Sequence, residues 1–222
     1  MFDTEALEIT AKYPDLDIRI LTPRDLSTNG WDVNTKNFMN SICVVEGKSL
    51  KISKIKGIWV RLSAITPDEL SHIKQTDREY VATEMNAFLV YWLKMMSCPV
   101  LNPPGDLLLN GPLWTREQWL FKASTVGISV KTITYDTSNA ILDENYKNIV
   151  ETILIDSNCF GINDPVLISK IKKLSKISNT PFLSLTFSFE NRLELLYANP
   201  NVVNCSNEIL DEVFNYFQEL QS

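Results

Sequence analysis

The chain has a single histidine, His72, which removes most histidine-based metal sites and acid-base relays from consideration. Its four cysteines (Cys43, Cys98, Cys159, Cys205) show no Cys-x-x-Cys spacing, so neither a zinc ribbon nor a disulfide framework is indicated, and reduced core thiols are expected. Glycine is scarce at 7 residues, and neither a P-loop nor a dinucleotide fingerprint occurs. Apolar runs are short. Ala87 to Met96 is interrupted by Lys94, far below the ~20 residues of a membrane span, so no membrane partner is expected. Basic residues are outnumbered, with a net charge of -6, which argues against nucleic acid as a partner. The opening Met-Phe-Asp-Thr-Glu-Ala is acidic where a secretory signal would be basic and then apolar, so a cytoplasmic location is expected.

What is present suffices for a globular fold. With 222 residues, 45% of them hydrophobic, the chain can bury one sizeable core or two small ones. Residues 2–14 predict a short helix. Asp17-Ile-Arg-Ile-Leu21 alternates and predicts a strand ended by Pro23. Ser41 to Val45 and Lys48 to Ile52 predict a hairpin turning at Glu46-Gly47. Gly57 to Leu62 reads as a strand with Trp59 and Arg61 on one face. Thr66-Pro67-Asp68-Glu69 starts a short helix, and Thr76 to Met96 forms a long amphipathic one. Glu84 falls among apolar residues of that helix, so a partner is expected for it in Arg61 or Arg78.

Prolines 99, 103 and 104 stop the helix and leave Val100-Leu-Asn102 extended, a further strand. Leu113 to Val126 predicts a helix ended by Gly127, followed by a strand from Ile128 to Thr134. Asp136 to Asn148 is polar and turn-rich, and Ile149 to Ile155 is apolar and β-branched. Asp164-Pro165 caps a helix from Val166 to Ile177 whose lysines (170, 172, 173, 176) read as a solvated face. Pro181 to Phe189, a turn, and Leu193 to Ala198 make a hairpin; Asn207 to Leu220 closes the chain as an amphipathic helix. Alternation of strand and helix over the first two thirds predicts an α/β class with an open, largely parallel sheet flanked by helices, followed by a small α+β lobe with hairpin and closing helix.

This order of elements resembles the ATP-grasp ligases that modify ribosomally made peptides, the microviridin and graspetide maturases. The residues that carry the resemblance run along the chain. Trp59-Val60-Arg61 matches a Trp-x-Arg strand end, and Arg78, Glu79 and Glu84 match a helix that begins Arg-Glu and carries a second Glu. Asn102-Pro103 matches an Asn-Pro loop. Arg116, Trp119, Leu120, Ala123, Gly127 and Thr132 follow the pattern Lys-x-x-Gln-Leu-x-x-Ala-x-x-x-Gly and a Pro-x-Thr strand, with Arg for the Lys and Trp for the Gln. Tyr197-Ala-Asn-Pro200 stands where the family ends its hairpin in Glu-x-Asn-Pro. The resemblance implies a pre-ATP-grasp-like domain over residues 1–112 and an ATP-grasp-like lobe over 113–222 that lacks the central nucleotide-binding subdomain.

The departures bear on function. In the family magnesium is held by an acid on one hairpin strand and by the Glu and Asn of the other, because phosphate charge must be neutralised as the acyl phosphate forms. Here Tyr197 replaces that Glu and Ser184 stands near the other acid, so these are degenerate metal-ligand positions. Gly161 is the only glycine between Thr132 and Tyr197, so no phosphate-covering glycine-rich loop is present there. A one-residue slip in the hairpin would reverse which side chains face the site. The expectation is a binding protein without cofactor or metal, an accessory or regulatory component of peptide modification. Its expected partners are a peptide or an active ATP-grasp ligase, and it would act as a homodimer or heterodimer. The alternative is an active ATP-dependent carboxylate-amine ligase, using ATP and magnesium, or shifted chemistry in the same cleft. Candidate cleft residues are Arg61, Arg78, Glu84, Arg116 and Asn199.

Overall fold

The structure, a computed structural model, describes residues 3–132, 146 and 148–220. Two compact units emerge: Met1–Asn110 together with Val203–Ser222, and Gly111–Val202. The break falls at 110/111, and the closing helix groups with the first unit.

In the first unit α1 (Thr4–Lys12) is capped by Asp3, whose carboxylate accepts from the Ala6 N–H. A short helix α2 (Pro23–Leu26) starts with a capping box between Thr22 and Asp25. The buried Asp25 carboxylate accepts from Thr22 N and Oγ1 and, at 2.8 Å, from the Gly47 N–H. It thereby ties α2 to the turn of the hairpin β1 (Ile42–Val45) and β2 (Lys48–Lys51), where Glu46 and Gly47 both take positive φ (51° and 70°). Strand β3 (Ile58–Trp59) is joined through the long helix α3 (Arg78–Met95) to β4 (Val100–Leu101), and the two strands pair in parallel. A crossover helix permits that direction; a tight turn would not. The core of this unit gathers Cys43, Ile52, Leu70, Ala82, Met85, Leu89 and Trp92.

The second unit begins with α4 (Arg116–Thr125), capped by Thr115 and Gln118 and left through Gly127 at φ +82°. Strands β5 (Ile149–Ile155) and β6 (Asn158–Phe160) form a hairpin, α5 (Pro165–Ser178) starts at the Asp164 cap, and β7 (Phe182–Phe189) turns into β8 (Leu193–Asn199). The sheet order is β6-β5-β7-β8, antiparallel throughout. Trp119, Leu120 and Ala123 of α4 and Ile171 and Leu174 of α5 cluster with Leu183, Leu185, Phe187 and Leu195 of the sheet. Last, α6 (Asn207–Glu219) returns to the first unit: Asp211 accepts from the Tyr13 hydroxyl at 2.6 Å, and Phe214 stacks on Tyr13. Phe217 lies against Gly57, where any side chain would collide with its ring.

The α/β class and the order of elements agree with the sequence. Several details differ. Parallel pairing among the described residues is confined to β3 with β4 and a single bridge of Val130 to Leu195. Asp17 to Leu21 is extended but unpaired as a strand; the Ile20 N–H donates to the Glu46 side chain, while the edge of β1 is bridged by Asp32. The alternation of that segment therefore lacked the neighbour a strand needs. Of Gly57–Leu62 only two residues pair, and the short helix expected from Thr66 is a single 3-10 turn, Pro67–Glu69. Strand β6 was not foreseen, being three residues long. The anticipated strand from Ile128 is, over the described residues to Thr132, only the isolated bridge at Val130; its remainder, with most of the polar stretch 136–148, lies outside the described residues. Among the described residues no helix is long and apolar enough to cross a membrane.

Candidate functional site

The β7–β8 hairpin sets the geometry of the candidate site. Its register pairs Ser184 with Asn199, Leu185 with Ala198 and Thr186 with Tyr197, and a bulge follows between Thr186 and Phe187. With side chains alternating across the sheet, Leu183, Leu185 and Phe187 point into the core, so Ser184, Thr186 and Ser188 point the other way, beside Tyr197 and Asn199. Strand β5 flanks them with Ile153 opposite Ser184, Glu151 opposite Thr186 and Ile149 opposite Ser188. The result is a polar face on an otherwise apolar sheet. Ser188 and Thr186 are buried within it, whereas Asn199 and Glu151 are exposed and Tyr197 keeps 45% of its surface in solvent.

Several polar groups of this unit have defined partners. Asn199 Oδ1 accepts from the Asn201 N–H at 2.9 Å and so shapes the turn before Pro200 is passed. Glu194 accepts from Arg192 at 2.9 Å and lies 3.8 Å from Lys131, which also reaches Glu190 at 3.3 Å. Arg116, at the start of α4, donates its Nε to the Leu196 carbonyl at 2.9 Å and a terminal nitrogen to the Tyr146 hydroxyl at 2.8 Å, with Tyr146's ring 5.7 Å from the guanidinium carbon. Among the described residues no three His, Cys, Asp or Glu side chains come together as a metal site. The hydroxyls, phenol and amide of the hairpin can hydrogen-bond and stack, and Glu151 of β5 is the carboxylate that the register adds to their face.

The candidate residues of the first unit are placed differently. Arg61 stacks on Trp59, 4.6 Å from its ring, and forms ion pairs with Asp3 (2.6 Å) and Glu5 (2.7 Å). Glu5 also accepts the N–H groups of Asn204 and Cys205, so the arginine ties together α1, β3 and the approach to α6. Burial works against ionisation of Asp3 and is the largest single influence, yet hydrogen bonds from Arg61 and the Ala6 N–H outweigh it and lower its pKa. For Glu5 the same balance is tipped downward by the Cys205 and Asn204 N–H groups and by Arg61. Arg78 donates to the carbonyls of Ile73 and Ser71. Glu84 is exposed on α3, because the buried stripe of that helix is Ala82, Met85, Leu89, Trp92 and Leu93. The anticipated pairing of Glu84 with Arg61 or Arg78 is thus replaced: both arginines have other acceptors and the carboxylate faces water.

Sequence reasoning missed two groups. Glu151 is an acid on the polar face, signalled only by the alternation Ile149-Val-Glu-Thr-Ile once its strand is paired. Asp3 and Glu5, noted in the sequence only as part of an acidic opening segment, are the counter-ions of Arg61. Of the cysteines expected in the core, Cys43 is buried there, while Cys98, Cys159 and Cys205 are half-buried; burial pushes Cys98 and Cys205 up to about 11.

No protein-family model matches the sequence, and curated proteins give no significant match. Solved structures do. The macrocyclase MdnC from Microcystis aeruginosa MRC, bound with precursor peptide MdnA, superposes with a TM-score of 0.72 at 10% identity, over 100% of this chain and 97% of that one. A RiPP-associated ATP-grasp ligase from Chryseobacterium gregarium, in complex with ADP and a leader and core peptide, gives 0.70 at 9% identity, covering 98% and 94%. The ATP-grasp ligase PsnB complexed with a minimal precursor gives 0.68 at 11%, covering 99% and 96%. The chain has the fold of the peptide-modifying ATP-grasp ligases.

Proposed function

We propose that this chain is a catalytically degenerate ATP-grasp-like protein that works by binding, as an accessory or regulatory component of ribosomal-peptide modification. The observation that carries the reading is the composition of the hairpin face: Ser184, Thr186 and Tyr197 stand around Asn199 where phosphoryl chemistry would require acids. Transfer of a phosphoryl group to a carboxylate spreads negative charge that a bound magnesium must offset, and neither a serine hydroxyl nor a tyrosine anchors that ion. The expected ligands are a peptide substrate of such a pathway or an active ligase of the same fold. Neighbours of this fold have been crystallised with precursor peptides, which supports the peptide assignment.

The alternative, an active ATP-dependent carboxylate-amine ligase, is favoured by one observation: Glu151 lies across Thr186 from Tyr197 on the same face. Calorimetric titration separates the two. No heat with ATP and magnesium, together with binding of a precursor-type peptide or of a co-expressed ligase, is expected of the accessory protein. Saturable binding of magnesium-ATP that Glu151→Gln abolishes, followed by ADP release, would overturn that reading and establish the ligase.

A further inference from the structure

A groove opens on the helix-covered face of the second unit's sheet, opposite the polar hairpin face, because Phe189 follows Leu183, Leu185 and Phe187 along β7 with a period of two. It measures about 260 Å³ and lies between the first turns of α5, the segment after α4 and the adjoining ends of β7 and β8. Val166, Leu167, Phe189 and Leu193 form its apolar walls. Two of these side chains stand open to water, Val166 at 63% and Phe189 at 46%. Lys170 borders the groove half-buried, its Cε 3.5 Å from where a Cβ on Gly127 would stand. Among the described residues no hydrogen bond or ion pair engages its ammonium, and the hydroxyl of Ser129, also at the groove, is likewise without a partner. The charges around them are already in use. Asp164 accepts the Val166 and Leu167 N–H groups as the cap of α5, and Lys131 meets Glu190 at 3.3 Å and Glu194 at 3.8 Å.

We infer that this groove binds a small carboxylic acid with an apolar body, of the arylalkyl or branched aliphatic kind. A lysine held half out of water among apolar walls, with no counter-ion, favours an anion beside it, since pairing replaces the hydration that its ammonium has lost. One ammonium and one hydroxyl supply donors to the two oxygens of a carboxylate. The apolar part of the ligand then covers Val166 and Phe189, the surface that the fold leaves in water. The volume lies just below the range of drug-sized sites, so the acid has roughly ten non-hydrogen atoms. An inorganic anion would leave the apolar walls bare, and an apolar amine would set its charge against Lys170. This inference is independent of the hairpin face and of the accessory role.

Titration of the isotope-labelled full chain with phenylbutyrate, followed by amide NMR, tests it. Saturable shifts are expected at Gly127, Ser129, Lys170 and Phe189, with a dissociation constant of about a millimolar or tighter, as suits a ligand of this size. The neutral amide of the same acid keeps the body and loses the charge, and it should bind at least about tenfold more weakly. Acetate, which keeps the charge alone, should not saturate. Lys170→Met should erase the preference for acid over amide, Lys170→Arg should keep it, and Phe189→Ala should weaken both ligands, with thermal melts confirming that each variant is folded. No saturable shift, equal affinity for acid and amide, a preference indifferent to Lys170→Met, or shifts confined to the face around Tyr197 and Asn199 would overturn it. A response to an acidic peptide but not to the free acid would overturn it as well and give the groove to a protein partner.

Discussion

Arg61 pairs with two carboxylates at once, Asp3 and Glu5, and its consequences can be read as a pH dependence. Asp3 and Glu5 have pKa values below their ordinary ones, so the unfolded chain takes up protons before the folded one does. Their contribution to stability is complete above the unfolded carboxylate range, roughly pH 4 to 5, and is lost as pH falls through the folded values. Thermal unfolding across pH should therefore show Arg61→Leu clearly less stable than the parent at pH 7, with the gap narrowing towards pH 3. A gap independent of pH would mean that Arg61 acts through its packing on Trp59 alone. A second residue-scale expectation concerns the hairpin face. If Ser184 and Tyr197 are the positions where acids were lost, the double change Ser184→Asp, Tyr197→Glu should confer a magnesium-dependent nucleotide shift in melting temperature that the parent lacks.

Among elements, two turns are pinned by atoms that cannot be exchanged freely. Asp25 serves α2 and the β1–β2 turn at once, accepting from Thr22 and from the Gly47 N–H. Asp25→Ala should cost about 0.5–2 kcal/mol, the range of a lost capping interaction, measured by urea unfolding. Gly161 follows β6 at φ +88°, and a Cβ there would run into the Glu151 carbonyl of β5. Gly161→Ala should accordingly lower stability by about 1–3 kcal/mol and shift the urea midpoint without changing the slope. Because Glu151 is displaced by the same clash, this variant also reports on whether the polar face depends on the β5–β6 turn.

At the scale of the whole molecule there are two cores, each filled from its own unit. Leu89 and Trp92 lie in one, Leu185 and Ile171 in the other. Leu185→Ala should remove about 2–5 kcal/mol, and native-state hydrogen exchange should place the loss of protection first within Gly111–Val202, where its contacts are. Faster exchange spread equally over both units would show that the two cores melt as one. The return of α6 to the first unit adds a topological point: Tyr13 with Asp211 joins residues near the two ends of the sequence, and Phe217 lies against Gly57.

Local signals determined a good part of this protein. The cap at Asp164, the Glu46-Gly47 turn, the stop at Pro99 and the periodicity of α3 and α6 act over a few residues, so they were legible without neighbours, whereas the helix expected from Leu113 starts only at Arg116, after the Thr115 cap. The resemblance that pointed to the ATP-grasp fold rested on such motifs in their order. Partners across long stretches of chain were not legible. Whether Asp17 to Leu21 pairs, which acid meets Arg61, and which face Glu84 takes depend on what packing brings alongside, and a helix with apolar residues on several sides does not announce its buried stripe. The hairpin shows the division most clearly. Its alternation fixed that Tyr197 and Asn199 share a face, whereas the register that sets Ser184 against Asn199 and brings Glu151 to the same surface comes from hydrogen bonds between strands, which only the folded chain makes.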